Sequence, residues 1–443
     1  MTGYSELMDE AKAGVLRFSA SPLNQTVFSN LSIKRAMAEQ TSLSDTKPSS
    51  FPIVGVGATA GGLEALEELF ANTPVNIGMA FVVVTHQHPA HTSMLPELLT
   101  RNTKLPVLSA EDGMALEPNH VYVAPPGTHM ALLNESLHFM DATDAQKVRL
   151  PIDYFFRSLA EDKKKHSIGI ILSGTATDGT LGIKAIKGES GMAMVQEPTS
   201  AKYSGMPSSA IATGCVDFIL PPEKMAEQLA SYANGAYISC RPEGANPVQM
   251  LSEEPLQKIF LLLRSRTGND FSSYKKNTIC RRIERRMNVH QIENPNQYVR
   301  YLQKNPHEID ILFKEMLISV TSFFRDPEAF ETLAKGALLE LLRSRPDGYH
   351  LRIWVPGCAT GEEAYSIAIL VDECMRALSK YFEVQIFGTD LDASAVETGR
   401  SGIYPGGIAI DVNAERLKRY FSHEDHVYRV NKEIRDKIVF ATH

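Results

Sequence analysis

Between Phe51 and about Ala233 the chain repeats one unit: a short β-branched run, a turn, then an amphipathic segment. The runs are "IVGVG", "MAFVVVT", "HVYVAP", "SIGIILS", "MAMVQ" and "VDFIL", and helices are expected from Gly62, Ser93, Ile152, Gly179, Pro207 and Pro222. Strands alternating with helices have few ways to bury their apolar faces. The one that covers both faces of the sheet is an α/β fold with a doubly wound, mostly parallel sheet. Such sheets bind ligands at the carboxyl ends of their strands, so chemistry is sought in those loops. "MALLNESLHFM" breaks the rhythm and reads as a hairpin inserted at the sheet edge.

The rhythm also divides the chain. Residues 1–50 are polar and end in "TSLSDTKPSS", a leader plus linker, and the α/β domain fills 51–235. A Pro- and Gly-bearing linker follows over 236–254, then a small helical domain over 255–340. "LRIWVPGC" and "FEVQIFGTD" restart a strand–helix–strand pattern, so a second, Rossmann-like α/β domain occupies 341–443. A formal charge of −7 over 443 residues excludes a molecule that binds polyanions over its whole surface. Five scattered cysteines without a C-x-x-C pair read as free thiols in a reducing cytoplasm, not as a zinc site or disulfide framework. The apolar runs are strand-sized and the first residues carry acids, so a soluble, cytoplasmic protein without signal peptide or membrane span is expected.

"IVGVGATAGGLEAL" is a strand, a glycine turn and a helix. That geometry serves either a phosphate cradle or a nucleophile turn of the G-x-[Ser]-x-G kind. A dinucleotide cradle needs an acid at the end of the next strand, and "MAFVVVT" ends in "HQH"; a Walker loop needs a lysine, and none follows Gly62. The nucleophile reading needs a histidine and an acid at other strand ends. His86 follows "FVVVT" and Asp178 follows "IGIILSGTAT", so Thr59, His86 and Asp178 all lie just past strand C-termini. Histidine would take the hydroxyl proton, aspartate would orient the ring, and loop N–H groups would bind the oxyanion. His88 and His91 lack a completing acid or cysteine for a metal site and read as polar loop residues.

"VGVGATAGGLEAL", "FVVVTHQHPAHTSMLPELL", "YVAPPGTHM", "IILSGTATDGTLGIKAIK" and "MPSSAIATG" together resemble the catalytic domain of the chemoreceptor glutamate methylesterases (CheB type) over 52–233. The resemblance implies that Thr59 stands at the nucleophile, His86 at the base and Asp178 at its orienter. The family pattern has serine where "GATAGG" has Thr59, and glutamine where this chain has Thr85. A β-branched nucleophile carries a methyl group that a serine-shaped turn was not built for, so a weakened hydrolase is expected.

"IWVPGCATGEEAYSIAI" is a second strand–turn–helix, and here "FGTDLD" places Asp390 at the end of the next strand, where a ribose is held. The turn has no lysine for a triphosphate, and Gly361-Glu362-Glu363 is acidic. That combination suits a nucleoside cofactor that is cationic and carries no phosphates: S-adenosylmethionine. With "VTSFFRDPEAF" upstream, residues 253–443 resemble the chemotaxis receptor glutamate methyltransferases (CheR type). The resemblance implies cofactor contacts at Thr321, Arg325, Glu363 and Asp390, while Ser319 replaces the family's usual asparagine.

In "YKKNTICRRIERRMNVHQ", Arg281 with Arg285 and Arg282 with Arg286 form i, i+4 pairs, so a helix would carry a strongly basic face. The resemblance implies that this face meets acidic helices of a receptor. The chain stops at "KIVFATH", where the family continues with a cofactor-contacting segment and further strands, so an incomplete methyltransferase domain is expected. The expected function is reversible methylation of receptor glutamates by one fused protein. A non-catalytic scaffold retaining both folds is the rival reading.

Overall fold

The computed structural model of the chain describes residues 15–17, 51–86, 93–140, 150–234, 253–317 and 320–443. Cys240, His88, His91, Ser319 and most of the expected linker lie outside these residues. Val15–Arg17 is the first strand, β1.

The hydrolase-like region alternates strands and helices as its sequence dictates. In order they are β2 (Ile53–Ala58), α1 (Gly62–Ala71), β3 (Ala80–Thr85), α2 (Leu95–Asn102), β4 (Val107–Ser109) and β5 (Val121–Val123). A hairpin of β6 (His129–Leu133) and β7 (Ser136–Met140) precedes α3 (Pro151–Lys163), β8 (Ser167–Ile171) and α4 (Thr180–Gly188). The region closes with β9 (Met192–Gln196), α5 (Gly205–Ala212), β10 (Phe218–Leu220) and α6 (Pro222–Asn234). The seven-stranded sheet runs β10-β9-β8-β2-β3-β5-β4, and every pair is parallel.

Strand alternation sorts the core into two layers. Val54 and Val56 face Leu66, Leu69 and Leu229 on one side, while Ile53, Val82 and Val84 face Phe155 and Phe156 on the other. With both faces covered, the central strands are apolar at nearly every position. β2 also carries glycine where α3 crosses: a Cβ on Gly57 would stand 2.5 Å from Cγ2 of Ile152.

Two elements differ from the sequence expectation. β4 is an edge strand of three residues, too short for an alternating pattern to show. The hairpin does not extend the main sheet. It forms its own two-stranded sheet, and the Leu132 amide donates to Ser158 Oγ on α3 at 2.9 Å.

Helices α7 (Glu253–Thr267), α8 (Lys276–Val289), α9 (Pro295–Lys304) and α10 (Pro306–Leu317) close around Leu263, Ile283, Tyr298 and Leu312. The helical stretch that follows puts Leu338 and Leu342 into the next core, with Phe323 and Phe324. Packing therefore divides the regions near Leu317 instead of at 340. Periodicity shows that a segment is helical, not which core its apolar face fills.

The last region has a parallel sheet ordered β1-β11-β12-β16, built from β11 (His350–Pro356), β12 (Glu383–Asp390) and β16 (Ile438–Thr442). Helix α11 (Glu362–Leu378) follows β11, and α12 (Ala393–Ser401) follows β12. β13 (Ile403–Pro405), β14 (Phe421–Glu424) and β15 (Val427–Val430) make a separate antiparallel sheet. β1 comes from the stretch expected to be only leader, and pairs Val15 with Arg352 and Arg17 with Trp354.

The regions meet through a buried ring of alternating charge. Lys187 bonds Asp217 (2.6 Å) and Glu315 (2.5 Å), and Arg285 bonds Glu315 (2.6 Å) and Asp217. Burial pushes the Asp217 carboxyl up, but Arg285 and Lys187 outweigh it and hold it well below the carboxylate range. Arg285 also donates to the Gly191 carbonyl (2.8 Å) and Arg282 to the Lys187 carbonyl (3.2 Å). Arg286 pairs with Glu308 (2.7 Å). This corrects the expectation for α8: Arg282, Arg285 and Arg286 are buried, and Arg281 is the arginine of that pattern left exposed.

Candidate active sites

β2 is where the strand order turns. β3 lies on one side of it and β8 on the other, which opens a crevice at their carboxyl ends. Thr59, His86 and Asp178 follow these three strands. His86 Nε2 lies 2.9 Å from Asp178 Oδ2, with His86 37% exposed and Asp178 2%.

Asp178 receives three further donors. The Ile152 amide reaches Oδ2 at 3.1 Å, and the Asp153 and Gly179 amides reach Oδ1 at 2.9 and 2.8 Å. Ile152 and Asp153 open helix α3, where N–H groups have no partner in the helix and the dipole favours an anion. The carboxylate accepts throughout, so Nε2 carries the proton it donates and Nδ1 keeps its lone pair. Leu150 at the helix start gives no side-chain cap and Pro151 follows. A helix start without its own cap was the sequence signal that an outside acceptor was needed.

Thr59 stands on the turn into α1, where Gly61 takes φ 67°. Its Oγ1 donates to Met206 Sδ at 3.4 Å and accepts from the Thr175 amide at 3.1 Å. Gly174 permits that approach, since a Cβ there would lie 2.5 Å from Thr59 Oγ1. The structure thus joins His86 to Asp178 and sets Thr59 on the neighbouring strand end. Among the described residues Thr59 makes no hydrogen bond to His86. The hairpin adds His129, the histidine of "YVAPPGTHM", which was not among the expected site residues. Burial lowers its imidazole below the usual range, with Asp178 pulling the other way and His86 adding to the fall.

In the second site β11 ends at Pro356 and the chain turns through Gly357, Ala359 and Gly361, all at positive φ, into α11. The Ala359 amide donates to Asp390 Oδ2 at 2.8 Å and the Asp392 amide to Oδ1 at 2.9 Å. Each oxygen retains a lone pair, enough to accept from two ligand hydroxyls. Burial raises Glu363, and Arg325 draws it back, so those two expected residues share one neighbourhood. Thr321 is half-buried on the same segment, which is tied to α11 by the Phe324 amide donating to Ser366 Oγ at 3.0 Å. The Cys358 thiol is pushed up to about 12 by burial and then by Asp390, Glu362 and Glu363. Glu362, buried and raised, takes a hydrogen bond from Thr360 Oγ1 at 2.6 Å, and Tyr404 donates to the Thr360 carbonyl at 2.7 Å. Glu362 belongs to the acidic Gly361-Glu362-Glu363 turn expected from the sequence, whereas Tyr404 was not expected as part of it. Three acids converging on a lysine-free turn fit a cationic nucleoside and disfavour a triphosphate.

Residues 54–229 match the CheB methylesterase family. A Leptospira interrogans protein, provisionally named protein-glutamate methylesterase/protein-glutamine glutaminase, is 31% identical over 179 residues, 40% of this chain and 93% of that protein. The chain belongs to the CheB methylesterase family. In the same polypeptide, residues 254–317 match the all-alpha domain of CheR methyltransferase and 319–443 its SAM binding domain. An uncharacterised 104.1 kDa protein of Rhodobacter capsulatus is 37% identical over 371 residues, 79% of this chain and 39% of that one. That alignment is too long to lie within either region alone. The crystal structure of the Thermotoga maritima CheB methylesterase catalytic domain is 32% identical, covering 41% of this chain and 98% of that one, with a TM-score of 0.38. The chain spans about half the length of two other curated methylesterases it matches. Among the described residues no helix is long and apolar enough to cross a membrane.

Proposed function

We propose that the chain modifies glutamates of a chemotaxis-type receptor in both directions, hydrolysing their methyl esters in the crevice and methylating them at the acidic turn. The observation that carries this reading is the His86–Asp178 pair at the strand-order switch, with Thr59 on the adjacent strand end. In hydrolysis, Thr59 Oγ1 attacks the ester carbonyl and passes its proton to His86 Nδ1. Asp178 stabilises the imidazolium through Nε2–H. The Thr175 N–H, already beside Oγ1, faces the developing negative charge. The proton then leaves with methanol, and water cleaves the acyl-threonine by the same steps in reverse order. Relatives' names also include protein-glutamine glutaminase; a glutamine side chain would follow the same route and release ammonia.

In the second site Asp390 would hold the ribose hydroxyls, with Glu363, Thr321 and Arg325 around the remainder of S-adenosylmethionine. Bound there, the cofactor supplies an electrophilic methyl group. The chain's part is to hold it beside the acids and admit a carboxylate. The partner is an acidic helical receptor. With three α8 arginines buried, the surface that meets it includes Arg281 and otherwise lies outside that face.

One observation favours the scaffold reading for the first site: Thr59 bonds Met206 and Thr175, not His86. Methanol release from a methyl-esterified receptor fragment decides between them. Thr59→Ser is expected to raise the rate about tenfold or more, because removing the methyl lets the hydroxyl turn to the base. A wild type as fast as the serine variant removes the handicap, and no release by either removes the hydrolase.

A further inference from the structure

Asp153 is a fully buried carboxylic acid that the chemistry above does not use. It sits in the first turn of α3 and its amide donates to Asp178 Oδ1. Its own Oδ1 accepts from the Gly182 amide at 2.7 Å, in the first turn of α4. The two helix starts therefore cap one another: Asp178, just ahead of α4, holds the N-terminus of α3, and Asp153 on α3 holds the N-terminus of α4. Asp178 is fixed from both sides, and with it the His86 ring.

The other oxygen is unusual. Asp153 Oδ2 is buried with no hydrogen-bond partner among the described residues. It lies against the Gly406–Ile410 turn of the transferase region, where a Cβ on Gly407 would come within 2.7 Å of it. Beside it Arg157, one turn along α3, makes a two-pronged pair with Asp411 at 2.8 and 3.1 Å. Leu181, next to Gly182, packs on the transferase core.

We infer that Asp153 is a positioning residue of the hydrolase site, held by the reciprocal cap with Asp178 and sealed from water by the Gly407 turn of the transferase region. This rests on the hydrolase reading of His86 and Asp178. It makes the second region a structural part of the first region's crevice. Burial, and then the Asp178 charge, push the Asp153 carboxyl up to about 8, with the Gly182 amide and Arg157 drawing it down. The charged or titratable groups around it are Asp178 ahead of α4, Arg157 on its own helix, Asp411 after the turn, and His86 and His129 beyond Asp178. At neutral pH it therefore keeps its proton and adds no second charge beside Asp178.

The test uses the full chain. Asp153→Ala removes the acceptor for Gly182 and is expected to lower kcat for methyl-ester hydrolysis about tenfold or more with KM within about twofold, because a displaced base loses rate before binding. Asp153→Asn keeps an oxygen for Gly182 and should recover most of that loss. Gly407→Ala, made in the other region, should lower kcat in the same manner, since its Cβ would press on Leu181 Cδ1 at 2.6 Å and on Asp153 Oδ2 at 2.7 Å. Stability gives a readout independent of turnover. A carboxyl whose folded-state pKa is raised contributes stability that is complete below the ordinary carboxylate range and is lost as pH rises through about 8. The wild-type Tm should therefore fall relative to Asp153→Asn from about pH 4 upward until that point is passed. Full activity in Asp153→Ala, or a loss that asparagine does not recover, overturns the positioning role. An unchanged kcat in Gly407→Ala overturns the seal, and parallel Tm curves overturn the buried acid. Hydrolysis absent from every variant, in a Thr59→Ser background as well, overturns the hydrolase reading instead.

Discussion

The two candidate sites use negative charge in opposite ways. In the crevice, Asp178 is surrounded by donors: three main-chain N–H groups and the His86 ring. Its charge is answered on the spot, and what it provides is a fixed direction for one histidine. At the second turn Asp390, Glu362 and Glu363 gather, and burial, with their charges adding to it, pushes the neighbouring Cys358 thiol up to about 12. There the charge is left to act on whatever enters. Peptide dipoles are suited to holding a group still, since they are part of the fold, whereas side-chain charges are suited to drawing a cation in.

That contrast can be broken experimentally, and the largest effect belongs to the crevice. His86→Ala or Asp178→Ala is expected to reduce kcat for ester hydrolysis by about 10³–10⁴-fold, measured as methanol release, with little change in cofactor affinity. A loss no greater than that of a surface control would mean that direction is not what Asp178 supplies. An intermediate effect is expected at Asp390. Its replacement by alanine should weaken S-adenosylhomocysteine binding by about 10–100-fold in calorimetry, the worth of one or two hydrogen bonds to a charged acceptor. The smallest and most discriminating effect is at Glu363. Glu363→Gln should weaken S-adenosylmethionine by several-fold more than S-adenosylhomocysteine, because the sulfonium alone is cationic, and added salt should narrow the gap. Equal losses for the two ligands would show that Glu363 acts by contact and not through its charge.

Much of this was legible in the sequence where local pattern and position coincide. Thr59, His86, Asp178 and Asp390 each follow an apolar run, and the carboxyl end of a strand is a place that a pattern can mark. What stayed hidden depends on what packs against what. A helical wheel puts Arg281 with Arg285 and Arg282 with Arg286, but it cannot show that Lys187, Asp217 and Glu315 lie against three of them while Arg281 stays in water. His129 stood in the quoted "YVAPPGTHM" but was given no role, because only the packing of its hairpin on α3 shows that it comes near Asp178. The donors to Asp178 show in the sequence only as an uncapped helix start at Leu150 and Pro151, which says that an acceptor is needed but not which one.

The buried ring between the regions bears on how such a chain could have been assembled. Its four charges are not divided as cations on one side and anions on the other. Lys187 and Asp217 belong to the first region, Arg285 and Glu315 to the second, so each brings a salt-bridged pair of its own. Docking exchanges partners between two neutral pairs, so the ring itself brings no net charge into the interior, where an unmatched charge would be costly. A gene joining two such regions would need no new counter-ion to be invented at the seam. By the same arithmetic, either region could be passed to another lineage without carrying away a charge that its former neighbour had been neutralising.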